Sequence, residues 1–154
     1  NEVYGMTGGQ VSPTTSEDRY TTTTPLGNTE AVFDACKLAE AAGAGLVGRE
    51  VTMQTPALRN LIKEGLAYEG FSFLEVMSDC TEIYGRKNDL GDSAEMVLAQ
   101  KSDMRPEAYT NSAEQPFRPN RLVTGILARN DRPEYGDTYR RQAAALCGEG
   151  DDAA

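Results

Sequence analysis

The sequence predicts an α/β fold built around a parallel sheet. Between residues 30 and 77, short apolar segments alternate with segments of helical periodicity, and glycine or proline punctuates them. Helix, strand, helix and strand within about 50 residues is typical of βαβ units. The chain has 154 residues, of which 39% are hydrophobic, so it is long and apolar enough to bury a core.

The first predicted helix and strand follow from the spacing of apolar residues. Helical spacing predicts a helix over residues 30–42, and Gly43 is a suitable residue just beyond its end. The short apolar run that follows, residues 44–48, is typical of a buried strand.

The second predicted helix and strand repeat this order. Thr55 is expected to be the N-cap and Pro56 the first helical residue, and the apolar face continues until Gly70. Residues 71–77 then form the second predicted strand. Three of its side chains are expected to pack inward: Phe71, Phe73 and Leu74.

The remaining chain is less regular. Residues 92–101 are predicted to be a helix, and residues 102–120 are polar and contain several prolines. A last strand is predicted at residues 122–128 and a terminal helix at residues 134–146. The acidic tail at residues 149–152 is expected to be disordered.

Composition excludes several classes of function. Acidic residues outnumber basic ones 24 to 15, and a net charge of −9 does not favour binding to nucleic acid. No apolar run is long enough for a membrane-spanning helix. The absence of histidine excludes Ser-His-Asp catalysis, Cys-His catalysis and His-ligated zinc within this chain.

Cysteine usage indicates a reducing compartment. The three cysteines, Cys36, Cys80 and Cys147, are odd in number and form no CxxC motif. This pattern fits neither a disulfide framework nor a self-contained zinc site. We therefore expect a cytoplasmic protein.

The first 28 residues contain the segment most suggestive of chemistry. They show no periodicity beyond a short strand end at residues 2–4, and they are rich in glycine, proline and threonine. A loop of more than about 20 residues is usually functional or disordered. A functional loop and a flexible tail both remain open on these grounds.

Residues 1–10, NEVYGMTGGQ, combine groups that suit a cation and a phosphate. Asn1 offers a neutral oxygen for a hard cation such as Mg²⁺, and a backbone carbonyl two residues further on can reach the same ion. Thr7 offers a hydroxyl, while Gly8 and Gly9 let backbone N–H groups approach an anion. The motif is neither a Walker loop nor GxGxxG. The residues alone are consistent with either a phosphate or metal loop or a plain turn.

Three segments carry a resemblance to a known family. They are NEVYGMTGGQVSPTT at residues 1–15, TPLGN at residues 24–28 and CTEIYGRKN at residues 80–88. Together they resemble the thiamine-diphosphate-binding β subunits of 2-oxoacid:ferredoxin oxidoreductases, and the last segment is most similar to the 2-oxoglutarate type. The resemblance makes residues 1–100 the C-terminal half of the thiamine-diphosphate-binding domain. Residues 101–154 fit as a partly irregular C-terminal extension.

The resemblance implies roles for individual residues. The side-chain oxygen of Asn1 and the backbone carbonyl of Val3 would bind the Mg²⁺ that bridges the cofactor diphosphate. Cys80 would be the last of the thiolates that hold a 4Fe-4S cluster near the thiamine, whereas Cys36 and Cys147 match no ligand position. The other expected cofactor-binding residues are Met6, Thr7, Gly8, Gly9 and Gln10.

The resemblance also implies an activity that this chain cannot perform alone. The reaction would be thiamine-dependent oxidative decarboxylation of a 2-oxoacid, giving acyl-CoA, CO₂ and reduced ferredoxin. The implied partners are an α subunit, ferredoxin, CoA and a small 2-oxoacid. The Gly-Asp-Gly-Asp segment and the three further cluster cysteines of the family do not occur in this sequence. We therefore expect a C-terminal fragment of a β subunit that is inactive by itself.

Two other interpretations remain open. Half of a non-redox thiamine-dependent decarboxylase or synthase would share the Mg²⁺ loop but would not need Cys80. A non-enzymatic, acidic α/β interaction module would need neither feature.

Overall fold

A four-stranded mixed sheet organises the part of the chain that the structure, a computed structural model, describes: residues 1–103, 105–106 and 123–148. The strand order is β4-β3-β6-β5, and a separate two-stranded sheet pairs β1 with β2. The strands are β1 (Val3–Tyr4), β2 (Gln10–Val11), β3 (Leu46–Val51), β4 (Ser72–Met77), β5 (Arg105–Pro106) and β6 (Val123–Arg129). The helices are α1 (Ala35–Ala41), α2 (Thr55–Ala67), a π-helix (Thr81–Gly85), α3 (Ser93–Asp103) and α4 (Tyr135–Cys147).

The α/β prediction is confirmed, and one strand makes the sheet mixed. Strands β3 and β4 are parallel, from Leu46 opposite Ser72 to Val51 opposite Met77, with α2 as their crossover. Strand β6 is antiparallel to β3, whereas β5 and β6 are parallel. Because β3 and β4 are parallel, both strands end at the same edge of the sheet.

Strand β3 is longer than the apolar run that predicted it. The prediction was residues 44–48, and the strand comprises Leu46–Val51. Its second half contains Arg49 and Glu50, which are buried although they are charged. The apolar pattern stops before these two positions because both residues are charged. Charged residues are rarely buried unless they have partners, so the pattern offered no reason to extend the strand.

Helix α1 begins later than predicted. Residues 30–34 are not helical, because Asp34 is the N-cap and its side chain accepts a hydrogen bond from a backbone N–H of the first turn. The N–H of Phe33 donates to the carbonyl of Pro13, which holds the preceding residues against the N-terminal loop.

The predicted end of α1 is confirmed. Gly43 has a φ of 87°, a conformation that favours glycine. The N–H groups of Gly43 and Ala44 donate to the carbonyls of Glu40 and Ala39. This is the Schellman arrangement, which satisfies the last carbonyls of the helix.

Two details of the second βα unit are corrected. The N-cap of α2 is Gln54, whereas Thr55 is the first residue of the helix. The Thr55 hydroxyl donates to the carbonyl of Thr52 and does not cap the helix. Phe71 was expected to pack inward, but it precedes β4 and is 68% exposed. Phe73 does pack against the cluster beneath α1.

The later elements match their predictions to within a residue or two. The predicted helix at 92–101 is α3, the strand at 122–128 is β6 and the helix at 134–146 is α4. Of the segment predicted to be polar and irregular, residues 102–120, residues 102–103 belong to α3 and residues 105–106 form β5. Its other residues and the acidic tail lie outside the described residues. None of the described helices has the length and hydropathy that a membrane span requires.

A buried ion triad fixes α1 to the sheet. Arg49 of β3 is 3% exposed, and it donates to Asp34 at 2.6 Å and to Glu75 of β4 at 2.5 Å. Burial disfavours the charge on Asp34, but the N–H of Lys37 and the Arg49 guanidinium outweigh this effect and lower its pKa. The stabilisation that Asp34 contributes is therefore present at neutral pH and is lost as the pH falls through the lowered pKa.

The first prediction concerns this triad. Arg49→Leu leaves two carboxylates without their cation in a mostly buried site, and we expect it to lower the free energy of unfolding by about 3–5 kcal/mol. Arg129→Leu is the matched control, because Arg129 pairs with Glu64 at 3.0 Å on the surface. It should cost less than about 1 kcal/mol. Equal losses for the two variants in urea unfolding would contradict the structural role of the triad.

Candidate functional site

The N-terminal motif folds as a β-hairpin. Strands β1 and β2 pair with Val3 opposite Val11, and residues 5–9 connect them. Gly8 and Gly9 have φ values of 115° and 80°, so both occupy backbone conformations that favour glycine. The N–H of Gly8 donates to Gly5 and that of Gly9 to Tyr4. The two glycines therefore shape the loop, and their N–H groups close it.

Thr7 and Gln10 brace the same hairpin. The Thr7 hydroxyl donates to Gln10 Oε1 at 2.7 Å, and Gln10 Nε2 donates to the Thr7 carbonyl at 2.9 Å. In the described part of the chain, the backbone N–H groups of Met6 and Thr7 donate to no protein acceptor. The Met6 side chain is fully exposed. Among the described residues, the hairpin loop thus leaves two backbone N–H groups without a protein acceptor, and such groups suit an anion.

Residues 14–28, the threonine-rich segment, pack around this hairpin and are not a free tail. Thr22 donates through its N–H to the Gly9 carbonyl and through its hydroxyl to the Gly8 carbonyl. The buried side-chain amide of Asn28 donates to the carbonyl of Thr15. Of the two interpretations of residues 1–28, the structure supports a packed loop.

The predicted metal ligand Asn1 and the predicted cluster ligand Cys80 meet at Gly5. A Cβ on Gly5 would lie 3.3 Å from Cys80 Sγ and 3.7 Å from Asn1 Nδ2. The Val3 carbonyl, the other predicted Mg²⁺ ligand, accepts the Gly5 N–H at 2.9 Å and keeps a second lone pair. The fold therefore brings the three predicted metal ligands together around one glycine.

Cys80 lies directly before the five-residue π-helix that follows β4. Its carbonyl accepts the N–H of Gly85, and its side chain packs against the buried cluster of Val3, Tyr84 and Met96. Such π-helical turns often occur at functional sites. Sequence analysis did not predict this turn, because a single turn of this kind leaves no periodic pattern.

Two contacts fasten the segment after Cys80 to the N-terminal loop. The side chain of Asn88 accepts from the N–H of Tyr20 at 2.8 Å and donates to its carbonyl at 3.0 Å. Gly9 packs so closely against the Ile83 side chain that a Cβ at position 9 would clash with Ile83 Cγ2. The hairpin and the segment after Cys80 are therefore one packed unit.

Glu2 is a member of the site that sequence analysis missed. Its carboxylate accepts from Ser16 Oγ at 2.8 Å and from the Tyr84 hydroxyl at 2.5 Å. Burial raises the pKa of Tyr84, and the charge of Glu2 raises it further, so this tyrosine remains a donor. The two hydrogen-bond partners of Glu2, Ser16 and Tyr84, lie 14 and 82 residues away in the sequence. No local sequence pattern could therefore have identified Glu2 as part of the site.

The residues present fit part of a metal and cofactor site. Asn1 and Val3 offer neutral oxygens of the kind that Mg²⁺ accepts together with phosphate oxygens. Cys80 offers one thiolate, whereas burial raises the pKa of Cys36 to about 12 and Cys147 is exposed on α4. Among the described residues, no group of three or more His, Cys, Asp or Glu side chains could hold a metal. The other ligands of a four-iron cluster would have to come from outside this chain.

Comparison with protein families defines the class of the domain. Residues 1–76 match the family described as "Thiamine pyrophosphate enzyme, C-terminal TPP binding domain". The match contains the whole hairpin, the threonine-rich segment and the β3-α2-β4 unit except its last residue, Met77, and it ends before Cys80. It falls within the predicted domain of residues 1–100, whose boundary stays a prediction.

Individual relatives are more specific. The 2-oxoglutarate synthase subunit KorB of Methanocaldococcus jannaschii is 40% identical over 150 residues, which are 97% of this chain and 55% of that protein. KorB of Methanothermobacter thermautotrophicus is 39% identical over 134 residues, covering 87% of this chain and 47% of the relative. The chain thus spans about half the length of these curated relatives. It belongs to the family of 2-oxoacid:ferredoxin oxidoreductase β subunits and is similar to the members named 2-oxoglutarate synthase.

A solved structure has the same fold. It is the 2-oxoglutarate:ferredoxin oxidoreductase of Magnetococcus marinus with 2-oxoglutarate, coenzyme A and succinyl-CoA bound. The TM-score is 0.73 at 22% sequence identity, and the match covers 99% of this chain and 53% of that one.

The second prediction tests the packing of the hairpin on the segment after Cys80. Gly9→Ala adds a methyl group against Ile83, and we expect it to cost about 1–3 kcal/mol of stability from overpacking, beyond the backbone strain. Gly8→Ala carries strain alone, because only Gln10 Nε2, at 4.0 Å, lies near its added Cβ.

The double variant distinguishes the two causes. In an Ile83→Ala background the clash with Ile83 Cγ2 is removed, so Gly9→Ala should cost less than it does in the parent. Thermal unfolding of the four combinations measures the coupling. An equal cost of Gly9→Ala in both backgrounds would contradict the contact.

Proposed function

We propose that this chain is the part of a 2-oxoacid:ferredoxin oxidoreductase that binds the Mg²⁺–diphosphate group of thiamine diphosphate and supplies one thiolate to a neighbouring 4Fe-4S cluster. The observation that carries this proposal is the approach of Asn1 and Cys80 to the same glycine. A metal loop and a cluster ligand have reason to lie together where electrons leave a cofactor for an iron–sulfur centre.

Each site residue then has a defined task. The side-chain oxygen of Asn1 and the carbonyl of Val3 would bind Mg²⁺, and the backbone N–H groups of Met6 and Thr7 would donate to the diphosphate. Three residues shape and brace the loop: Gly8, Gly9 and Gln10.

The proposed reaction is oxidative decarboxylation of a 2-oxoacid, with 2-oxoglutarate as the favoured substrate. Bound thiamine diphosphate supplies carbanion chemistry at the 2-oxo carbon, and the protein positions it. The acyl group passes to CoA, CO₂ is released and ferredoxin is reduced. The absence of histidine fits this division of labour, because no imidazole of this chain is needed.

The proposal requires partners. Two Mg²⁺ ligands and one thiolate do not complete either metal centre, so further ligands are needed from outside this chain. Because the chain spans about half the length of its β-subunit relatives, the other half of such a subunit is the proposed source, and the assembly also includes an α subunit and ferredoxin. We place this assembly in the cytoplasm, where thiols stay reduced. The chain by itself is inactive under this proposal.

The relatives favour this function over the two alternatives. They are 2-oxoglutarate synthase and 2-oxoacid:ferredoxin oxidoreductase subunits, which supports the redox reaction over a plain decarboxylase. A non-enzymatic module has no use for a metal loop next to a cysteine.

The third prediction concerns Asn1 in the assembled enzyme. Asn1→Ala removes an oxygen ligand from a hard cation and should raise the Mg²⁺ concentration needed for thiamine diphosphate binding by at least about tenfold. Asn1→Asp keeps an oxygen at this position and should bind more tightly than Asn1→Ala. Val3→Ala should leave the Mg²⁺ dependence near that of the parent because its ligand is a backbone carbonyl.

Calorimetric titration with thiamine diphosphate at several Mg²⁺ concentrations measures these effects. The Val3 side chain is buried, so the melting temperature must be followed alongside to separate lost packing from lost metal affinity. Parental Mg²⁺ dependence in Asn1→Ala would overturn the metal-loop assignment.

The fourth prediction concerns the cysteines. Cys80→Ala removes a thiolate ligand, so the assembled enzyme should lose or convert one cluster and lose ferredoxin reduction. Cys36→Ala and Cys147→Ala are matched controls that should keep full iron content. Cys36→Ala should cost stability alone, since its side chain is buried.

Iron analysis and the reduced-state EPR spectrum of the three variants provide the test. Full iron content and ferredoxin reduction in Cys80→Ala would refute the assignment of Cys80 as a cluster ligand. An assembled parent enzyme that contains no iron and does not reduce ferredoxin would refute the oxidoreductase proposal and favour the plain decarboxylase.

A further inference from the structure

The residue between the two proposed Mg²⁺ ligands has an unusual backbone conformation. Glu2 has a φ of 56°, in the left-handed region that residues with a Cβ rarely occupy. A conformation of this kind is costly and persists where the surrounding structure holds it. The backbone dihedral angles of Glu2 help to set the position of Asn1 relative to the Val3 carbonyl.

Three hydroxyl groups hold Glu2 in this conformation. The Thr15 hydroxyl donates to the Glu2 carbonyl at 2.5 Å. Ser16 and Tyr84 both donate to Oε2 of the carboxylate, at 2.8 Å and 2.5 Å. The backbone and the side chain of Glu2 are thus both restrained, by two different segments of the fold.

The Tyr84 bond connects this arrangement to the segment of Cys80. Tyr84 is 7% exposed and belongs to the π-helix that begins directly after Cys80. It packs in one buried cluster with Val3, and Cys80 lies against the same cluster. A change in the Tyr84 hydroxyl bond therefore reaches the metal loop without removing the ligand oxygen of Asn1 or of Val3.

We propose that Glu2 is a positioning residue, which holds Asn1 and Val3 in their metal-binding arrangement through its hydrogen bonds, and that Tyr84 ties this arrangement to the Cys80 segment. The inference rests on the proposed function, because it assumes that Asn1 and Val3 bind Mg²⁺. It adds two residues, neither of which contacts the metal in this assignment.

The test uses the assembled enzyme with Glu2→Ala, Glu2→Gln and Tyr84→Phe. The measured quantity is the Mg²⁺ concentration needed for half-maximal thiamine diphosphate binding. Glu2→Ala removes the acceptor of two hydrogen bonds, and Tyr84→Phe removes one donor, so each should raise this concentration about five- to tenfold. Glu2→Gln keeps an acceptor oxygen and should recover most of the affinity. Tyr139→Phe, an exposed tyrosine on α4, is the control and should match the parent.

A second readout separates positioning from folding. The melting temperature without cofactor reports stability alone. Lower melting temperatures with parental Mg²⁺ dependence would overturn the inference and leave Glu2 and Tyr84 as structural residues. Equal loss in Glu2→Gln and Glu2→Ala would contradict positioning through hydrogen-bond acceptance.

Failure of this inference is distinguishable from failure of the proposed function. Parental Mg²⁺ dependence in Glu2→Ala and Tyr84→Phe, with a clear loss in Asn1→Ala, would overturn the positioning role alone. Parental Mg²⁺ dependence in Asn1→Ala would overturn the metal loop itself and the inference with it.

Discussion

The hydrogen bond between the Glu2 carboxylate and the Tyr84 hydroxyl joins the two halves of the candidate site. One half is the β1–β2 hairpin with its proposed Mg²⁺ ligands, and the other is the π-helical segment that begins after Cys80. The contact of Gly9 with Ile83 and the hydrogen bonds between Tyr20 and Asn88 lie in the same interface between the N-terminal loop and the segment after Cys80. Without this interface, Asn1 and Cys80 would have no fixed relation to one another.

The sheet determines where this interface forms. Strands β3 and β4 run in parallel, so both deliver the chain to one edge, and Cys80 follows the end of β4. The buried pairing of Arg49 with Asp34 and Glu75 joins α1 and both strands on one face of that sheet. Desolvation offsets much of the attraction in a buried ion pair of this kind, but removing one partner is costly because it leaves the opposite charge buried and unpaired.

Local sequence patterns predicted the helices and strands, whereas contacts between residues distant in sequence form the candidate site. The β3-α2-β4 unit follows from apolar periodicity and from Gly43 at the end of α1. The missed half of β3 contains Arg49, whose partners Asp34 and Glu75 lie 15 and 26 residues away in sequence. Glu2 and Tyr84 are separated by 82 residues, so no window of sequence could pair them. The family resemblance singled out Asn1, Val3 and Cys80, but only the fold shows that they meet.

Under the proposed function, one packed unit holds a divalent metal at Asn1 and an iron–sulfur ligand at Cys80. Anomalous diffraction from crystals of the assembled enzyme, with Mn²⁺ in place of Mg²⁺, tests it most directly, because manganese and iron have separate absorption edges and Mn²⁺ accepts the same oxygen ligands. We predict a manganese peak bonded to the Asn1 side-chain oxygen and the Val3 carbonyl, and an iron cluster bonded to Cys80 Sγ. A manganese peak away from Asn1, or a Cys80 thiol without bound iron, would refute this arrangement of the site.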